Sequence, residues 1–207
     1  MKGYSNDLYI LAFDHRGTLT KGLLGVEGRE PTNEEIARVS SMKDIIFDGF
    51  LEAKNEGISG GDPAILVDEA FGLQVQEKAK EMGIKFAAPV EKSGQKVFDF
   101  EYGDDFGEKI KEVNADFVKI LVRWNPDDDA DTRKIQGERI KRLSDWLDEN
   151  LANNWGTTTV DLVKQIALTF EESTQTNPYS DYLLLISLLI LVMIIFFTNR
   201  INTKERV

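Results

Sequence analysis

The chain has 207 residues, a formal net charge of −11 and a pI near 4.7. An acidic surface of that kind disfavours nucleic acid and anionic membrane surfaces as partners, although a local basic pocket can still take an anionic substrate. No cysteine and a single histidine, His15, exclude disulfides, a thiolate nucleophile, a Cys-type zinc site and any multi-histidine metal site.

Residues 1–7 are polar and hold no apolar run of the length a signal peptide needs. From there the chain alternates short apolar runs with amphipathic stretches. The runs are Leu8–Phe13, Ala64–Val67, Ile84–Val90 and Phe117–Val122. Each has strand length and is nearly all apolar, as expected of parallel strands covered on both faces. Helical spacing is seen in Asn33–Glu56, with Ile36, Val39, Ile45, Ile46, Phe50 and Leu51 as its apolar set. Glu69–Met82, Phe106–Val113 and Thr132–Asn150 follow, the last with Ile135, Ile140, Leu143, Trp146 and Leu147. Alternating strands and helices predict an α/β fold on a parallel sheet, either a small open sheet or about half of an eight-fold barrel.

After Asn150 the character changes. A further amphipathic helix is expected from about Thr159, then a polar linker, Glu171–Ser180. Tyr182–Thr198 is almost wholly apolar, about 17 residues or some 25 Å as a helix, at the short end of what spans a bilayer. Tyr182 stands where an interfacial aromatic belongs. The expected organisation is 1–150 globular, 151–180 helix and linker, 181–200 transmembrane helix and 201–207 a basic tail. Arg200, Lys204 and Arg206 favour a cytoplasmic C-terminus. Moving some 150 residues across a bilayer ahead of the only apolar segment is harder than moving seven. The expectation is therefore a single-pass C-terminal anchor with the globular domain in the cytoplasm.

Charge falls at the C-terminal end of every apolar run. The first run gives Asp14, His15 and Arg16, the second Asp68 and Glu69, and the third Glu91 and Lys92. The fourth has Lys119 inside it and Arg123 at its end. In parallel α/β folds that edge binds ligands. A lysine inside a buried strand must be paired or lose its charge, so Lys119 reads either as a functional amine or as one side of an ion pair with Asp14, Asp68 or Glu91. Asp14 with His15 could be an acid–base pair, though adjacent strand residues point to opposite faces, and His15 reads equally as a loop residue. Asp14, Asp68 and Glu91 could instead ligate magnesium. Gly17, Gly72 and Gly94 permit tight turns or a close approach of backbone to phosphate. Asp129 or Asp131 is the expected N-cap of the last helix, and Glu101–Phe106 the entry to another.

Leu-Ala-Phe-Asp-His-Arg-Gly, Ile-Leu-Val-Asp-Glu-Ala-Phe-Gly-Leu, Pro-Val-Glu-Lys-Ser-Gly and Phe-Val-Lys-Ile-Leu-Val-Arg-Trp-Asn-Pro-Asp occur in this order. In these the chain resembles the tagatose-bisphosphate aldolase superfamily over about Leu8 to Glu149. The closer likeness is to the aldolase-like domain fused to the sugar kinase of bacterial inositol catabolism, which is associated with cleaving 2-deoxy-5-keto-gluconate 6-phosphate. The resemblance implies a (β/α)8 barrel, metal-free and cofactor-free Schiff-base aldol chemistry, and a phosphorylated sugar or keto acid as substrate. It implies Asp14, His15 and Lys119 as catalytic groups and matches Lys92 to a turn of the family, while Arg16, Asp68, Glu91 and Arg123 join Lys92 as expected substrate contacts from their place at the strand ends. The family's Schiff-base lysine and a catalytic glutamate come from later strands, which residues 151–207 do not resemble. This chain is therefore expected to be inactive or weakly active alone. The alternative is a non-catalytic, membrane-anchored half barrel that binds a phosphosugar or a protein, or a truncated or fused gene product. Open sheet edges lead to the expectation of a homo-oligomer or of aggregation once the tail is removed.

Overall fold

A computed structural model of the chain describes residues 7–57, 61–123 and 127–151. They divide into two compact units that separate after Val122. The first is a mixed α/β unit. Its elements are β1 (Leu8–Ala12), α1 (Gly17–Leu24), α2 (Asn33–Gly57), β2 (Asp62–Leu66), α3 (Glu69–Glu81), β3 (Lys85–Pro89), a 3-10 turn (Gly103–Asp105), α4 (Phe106–Val113) and β4 (Phe117–Lys119). The four strands form one sheet in the order β1-β2-β3-β4, all parallel. That is the sequential order expected from strands alternating with helices.

Alternation along the strands sets the core. Ile65 and Val67, then Phe86 and Ala88, lie two residues apart on one face of the sheet. They pack with Phe47 and Phe50 of α2 and with Val75 and Ala79 of α3. α2 starts at a capping box, in which the Thr32 hydroxyl accepts from the Glu35 N–H at 3.3 Å and the Glu35 carboxylate accepts from the Thr32 N–H at 2.8 Å. α3 starts at Asp68, whose carboxylate accepts from the Phe71 N–H at 2.9 Å.

Four sequence expectations need correction. The buried face of α2 carries Val39, Lys43, Phe47 and Phe50, whereas Ile45 and Ile46 are exposed. A lysine occupies the middle of that face, so counting apolar residues alone misplaces it. β1 is not covered on both faces: Tyr9, Ile10 and Leu11 are about half exposed, because among the described strands β1 stands at the edge, paired with β2 alone. The fourth run is strand only as far as Lys119, which places that lysine at the strand's end rather than inside it. Gly72 makes no tight turn between elements but sits buried at a kink in α3, with non-helical φ −124° and ψ 16°. Of the other two glycines, Gly94 does turn the chain, with φ 77°, and Gly17 opens α1, a helix the spacing did not predict.

The second unit contains Arg123 and α5 (Ala130–Leu151). Asp129 is the N-cap of α5, accepting from the Thr132 N–H and hydroxyl, both at 2.8 Å. Ile140, Leu143 and Leu147 are buried, as the helical spacing requires, while Ile135 is exposed. Among the described residues no helix is long and apolar enough to cross a membrane. Tyr182–Thr198, the linker before it and the helix expected from Thr159 lie outside the described residues.

Candidate functional site

The ladder of backbone bonds runs past the strand ends and aligns them. The Phe13 N–H donates to the Leu66 carbonyl at 2.9 Å, Val67 N–H to Ala87 at 3.2 Å, and Val90 N–H to Lys119 at 3.0 Å. Asp14, Asp68 and Glu91, each next in sequence to one of these donors, are thereby held along one edge of the sheet, beside Lys119. Two separate charge clusters result.

The first centres on Lys119. Its ammonium donates to Asp14 Oδ2 at 2.8 Å and to Glu91 Oε1 at 2.7 Å. Arg16 donates to the same Glu91 oxygen at 3.2 Å, to the Glu91 carbonyl at 2.8 Å and to Glu101 Oε2 at 3.0 Å. Burial is the largest single influence on Lys119 and works against its charge. The hydrogen bonds and charges of Asp14 and Glu91 together outweigh it and hold the ammonium above the ordinary lysine value. Lys119 is thus built as a cation, not as a neutral amine. Glu91 is 5 % exposed, and its second oxygen has no hydrogen-bond partner among the described residues.

The loop after β3 completes this cluster. It folds back on itself through an antiparallel bridge, Glu91 to Phe100, flanked by Glu101 N–H to Val90 carbonyl at 3.0 Å and Lys92 N–H to Asp99 carbonyl at 2.8 Å. That return delivers Glu101 to Arg16, 85 residues away in sequence. Read as a helix entry, Glu101 gave no sign of this role.

The second cluster is the buried pair of Lys43 and Asp68. Lys43 projects from α2 and is fully buried. Its ammonium donates to Asp68 Oδ2, to the Phe13 carbonyl at 2.8 Å and to the His15 carbonyl at 3.0 Å. All three of its protons are used. Both Asp68 oxygens are used as well, one by Lys43 and the other by the Phe71 N–H. Burial pushes the Lys43 ammonium down and the Asp68 carboxyl up, each against the pull of the other. The signal for Lys43 was in the sequence: it stands four residues from both Val39 and Phe47 on one helix face.

The sequence-derived candidates therefore separate. Asp14, Arg16, Glu91 and Lys119 converge. Asp68 is buried and spent on Lys43 and the α3 cap, so it presents no oxygen to a substrate. Glu69 turns to Lys109 at 2.7 Å and to the Tyr102 hydroxyl at 2.8 Å. His15 contributes its carbonyl to Lys43 while the residue itself is exposed. Lys92 is exposed, and its ammonium pairs with no described residue. Arg123 belongs to the second unit, where its carbonyl accepts from Gln136 at 2.9 Å. The magnesium arrangement of Asp14, Asp68 and Glu91 does not form. Asp14 and Glu91 turn to Lys119 and Asp68 to Lys43, and among the described residues no group of three such ligands could hold a metal ion.

The chain belongs to the family described as "Uncharacterized protein conserved in bacteria (DUF2090)", whose model matches residues 1–152. It is also 27 % identical over 139 residues to tagatose 1,6-diphosphate aldolase 2 of Streptococcus pyogenes serotype M1, a stretch covering 64 % of this chain and 38 % of that relative. The same enzyme of serotype M18 matches equally, with 27 % identity over 139 residues. The chain thus spans well under half the length of these curated relatives. The similarity supports an aldolase-like superfamily.

Proposed function

We propose that the first unit is part of an aldolase-like (β/α) barrel and binds a phosphorylated ketose at the edge where Lys119, Asp14, Glu91 and Arg16 meet. One observation carries the proposal: Lys119 sits at a strand end as a cation braced by two carboxylates. The similarity to a tagatose diphosphate aldolase supplies the ligand class. In this reading the Lys119 ammonium, which has three N–H groups and two carboxylate acceptors, offers its remaining N–H to the ligand carbonyl oxygen. It polarises the carbonyl and does not attack it, because a protonated amine is no nucleophile. The reading thus gives Lys119 a polarising role in a Schiff-base aldolase and leaves the attacking amine to another lysine. The likeness to the inositol-catabolism domain makes a phosphorylated keto acid the second ligand class to try.

The test is calorimetric titration of the full chain with tagatose 1,6-diphosphate, beside the unphosphorylated sugar as control. Binding of the phosphate ester, weakened about tenfold or more in Lys119→Met, supports the reading, since a hydrogen bond to a charged group is worth ~1.5–3 kcal/mol. Equal affinity of variant and parent, or no binding of any phosphorylated ketose or keto acid, overturns it. For Tyr182–Thr198 the proposal stays a single-pass anchor with the globular part in the cytoplasm. Alkaline carbonate that extracts the whole chain rules out the anchor, and digestion of the domain by protease outside intact cells inverts its orientation.

A further inference from the structure

We infer that Lys43 is a positioning residue: from inside α2 it holds the backbone on both sides of Asp14 and so sets the Asp14 carboxylate against Lys119. The two carbonyls that Lys43 binds, of Phe13 and His15, are the immediate neighbours of Asp14, at 2.8 and 3.0 Å. A single ammonium bound to both closes the chain around it and fixes the direction in which the Asp14 side chain leaves. That side chain meets Lys119 at 2.8 Å, 105 residues along the sequence. The Phe13 N–H is bonded in turn to β2 at 2.9 Å, so the segment is tied on both sides of its backbone.

Asp68 supplies the charge that opposes the loss of the buried Lys43 proton, and it is itself fixed as the N-cap of α3. The order of dependence is α3 cap, Asp68, Lys43, backbone of Asp14, Lys119. Packing alone would be served by a leucine or methionine here, as Val39 and Phe47 serve one turn away on either side. A fully buried lysine with all three protons on named acceptors is a costly substitute, and what it adds over an apolar residue is direction. Arg16, which follows His15, is drawn into the same arrangement and carries it to Glu91 and Glu101. The inference rests on the reading that Asp14 and Lys119 act together. It does not depend on which ligand they serve.

The experiment reads the Asp14–Lys119 pair directly, by NMR titration of the Lys119 13Cε signal in full-length protein, so failure of phosphoketose binding and failure of this inference are separate results. Asp14→Asn calibrates the effect: the signal should titrate at lower pH once that hydrogen bond is gone. The test variant is Lys43→Met with Asp68→Asn, which removes the buried charges together and leaves no unpaired ion. It should shift Lys119 downward as Asp14→Asn does. Asp68→Asn alone leaves Lys43 buried without its counter-charge and should shift Lys119 in the same direction, by no more than the double variant does. If the double variant fails to fold, Lys43→Arg serves instead: it keeps the charge but cannot place a compact ammonium between three acceptors, and it should move Lys119 in the same direction. A folded double variant or a folded Lys43→Arg with an unshifted Lys119 overturns the inference.

Discussion

Two lysine–carboxylate clusters stand at the same edge of the same sheet, and they are built for different work. Lys43 and Asp68 are shut away from water, and every proton and oxygen of the pair has a partner. Lys119 with Asp14 and Glu91 is partly open, with the lysine side chain 27 % exposed. One of its N–H groups and one Glu91 oxygen have no acceptor or donor among the described residues. A saturated cluster can only hold its surroundings in place; an unsaturated one at a strand end can still take a ligand. Residue type does not distinguish them, and neither does position along the edge. Hydrogen-bond completeness and access do.

The largest effect separating the two should come from breaking the closed pair. Lys43→Met leaves the Asp68 carboxylate buried with only the Phe71 N–H for a partner, a loss expected to cost ~3–5 kcal/mol. Adding Asp68→Asn should recover most of that, because two neutral groups of similar volume impose no buried charge. Denaturant unfolding of the full chain checks both. A single variant as stable as the parent would mean that water reaches Asp68, and the contrast between a closed and an open cluster would collapse.

How much of this was legible in the sequence follows the range of the interactions. Parallel strands in sequential order follow from short apolar runs alternating with helical spacing, and the run ends mark the edge where Asp14, Glu91 and Lys119 meet. Phe106–Val113 was bounded as the structure has it, and Asp129 was one of two caps named. What failed is what depends on partners distant in sequence. Ile45 and Ile46 read as core because they are apolar, yet the face is set by Val39, Phe47 and Phe50 with Lys43 between them. Asp68 read as a substrate contact because nothing local shows that α2 carries a lysine to meet it. Glu101 read as a helix entry because its partner Arg16 is 85 residues away. Exposure of Tyr9 to Leu11 could not be read from an apolar run, since it depends on β1 standing at the edge among the described strands.

A smaller effect is expected where the closed cluster meets the helix behind it. A Cβ at Gly72 would stand 2.3 Å from Val67 Cγ2 and 3.5 Å from Lys43 Cδ. The first distance is impossible without displacement, and the Lys43 stem lies close on the other contact. Gly72→Ala should therefore destabilise by ~1–3 kcal/mol through the clash with Val67. A melt at or above the parent's midpoint would show that α3 slides to make room, and that the saturated cluster tolerates movement it is argued to forbid.

The smallest effect belongs to the open cluster and is a matter of sign with pH. Burial alone would lower Lys119, but the bonds to Asp14 and Glu91 leave its folded value above the ordinary 10.5. A group raised in the folded state binds its proton more tightly there than in the unfolded chain. Its contribution to stability is complete below the ordinary lysine value and is lost as pH rises through the folded one. Stability should accordingly fall through that alkaline range, and part of the fall should belong to Lys119. Asp14→Asn removes one of the two bonds that raise it, so the variant should be less stable near neutrality but lose less on going alkaline. Denaturant midpoints on both sides of the ordinary lysine value give the comparison. Equal alkaline losses in parent and variant would show that Asp14 does not hold the proton on Lys119. The open cluster would then be two neighbouring charges rather than a coupled site.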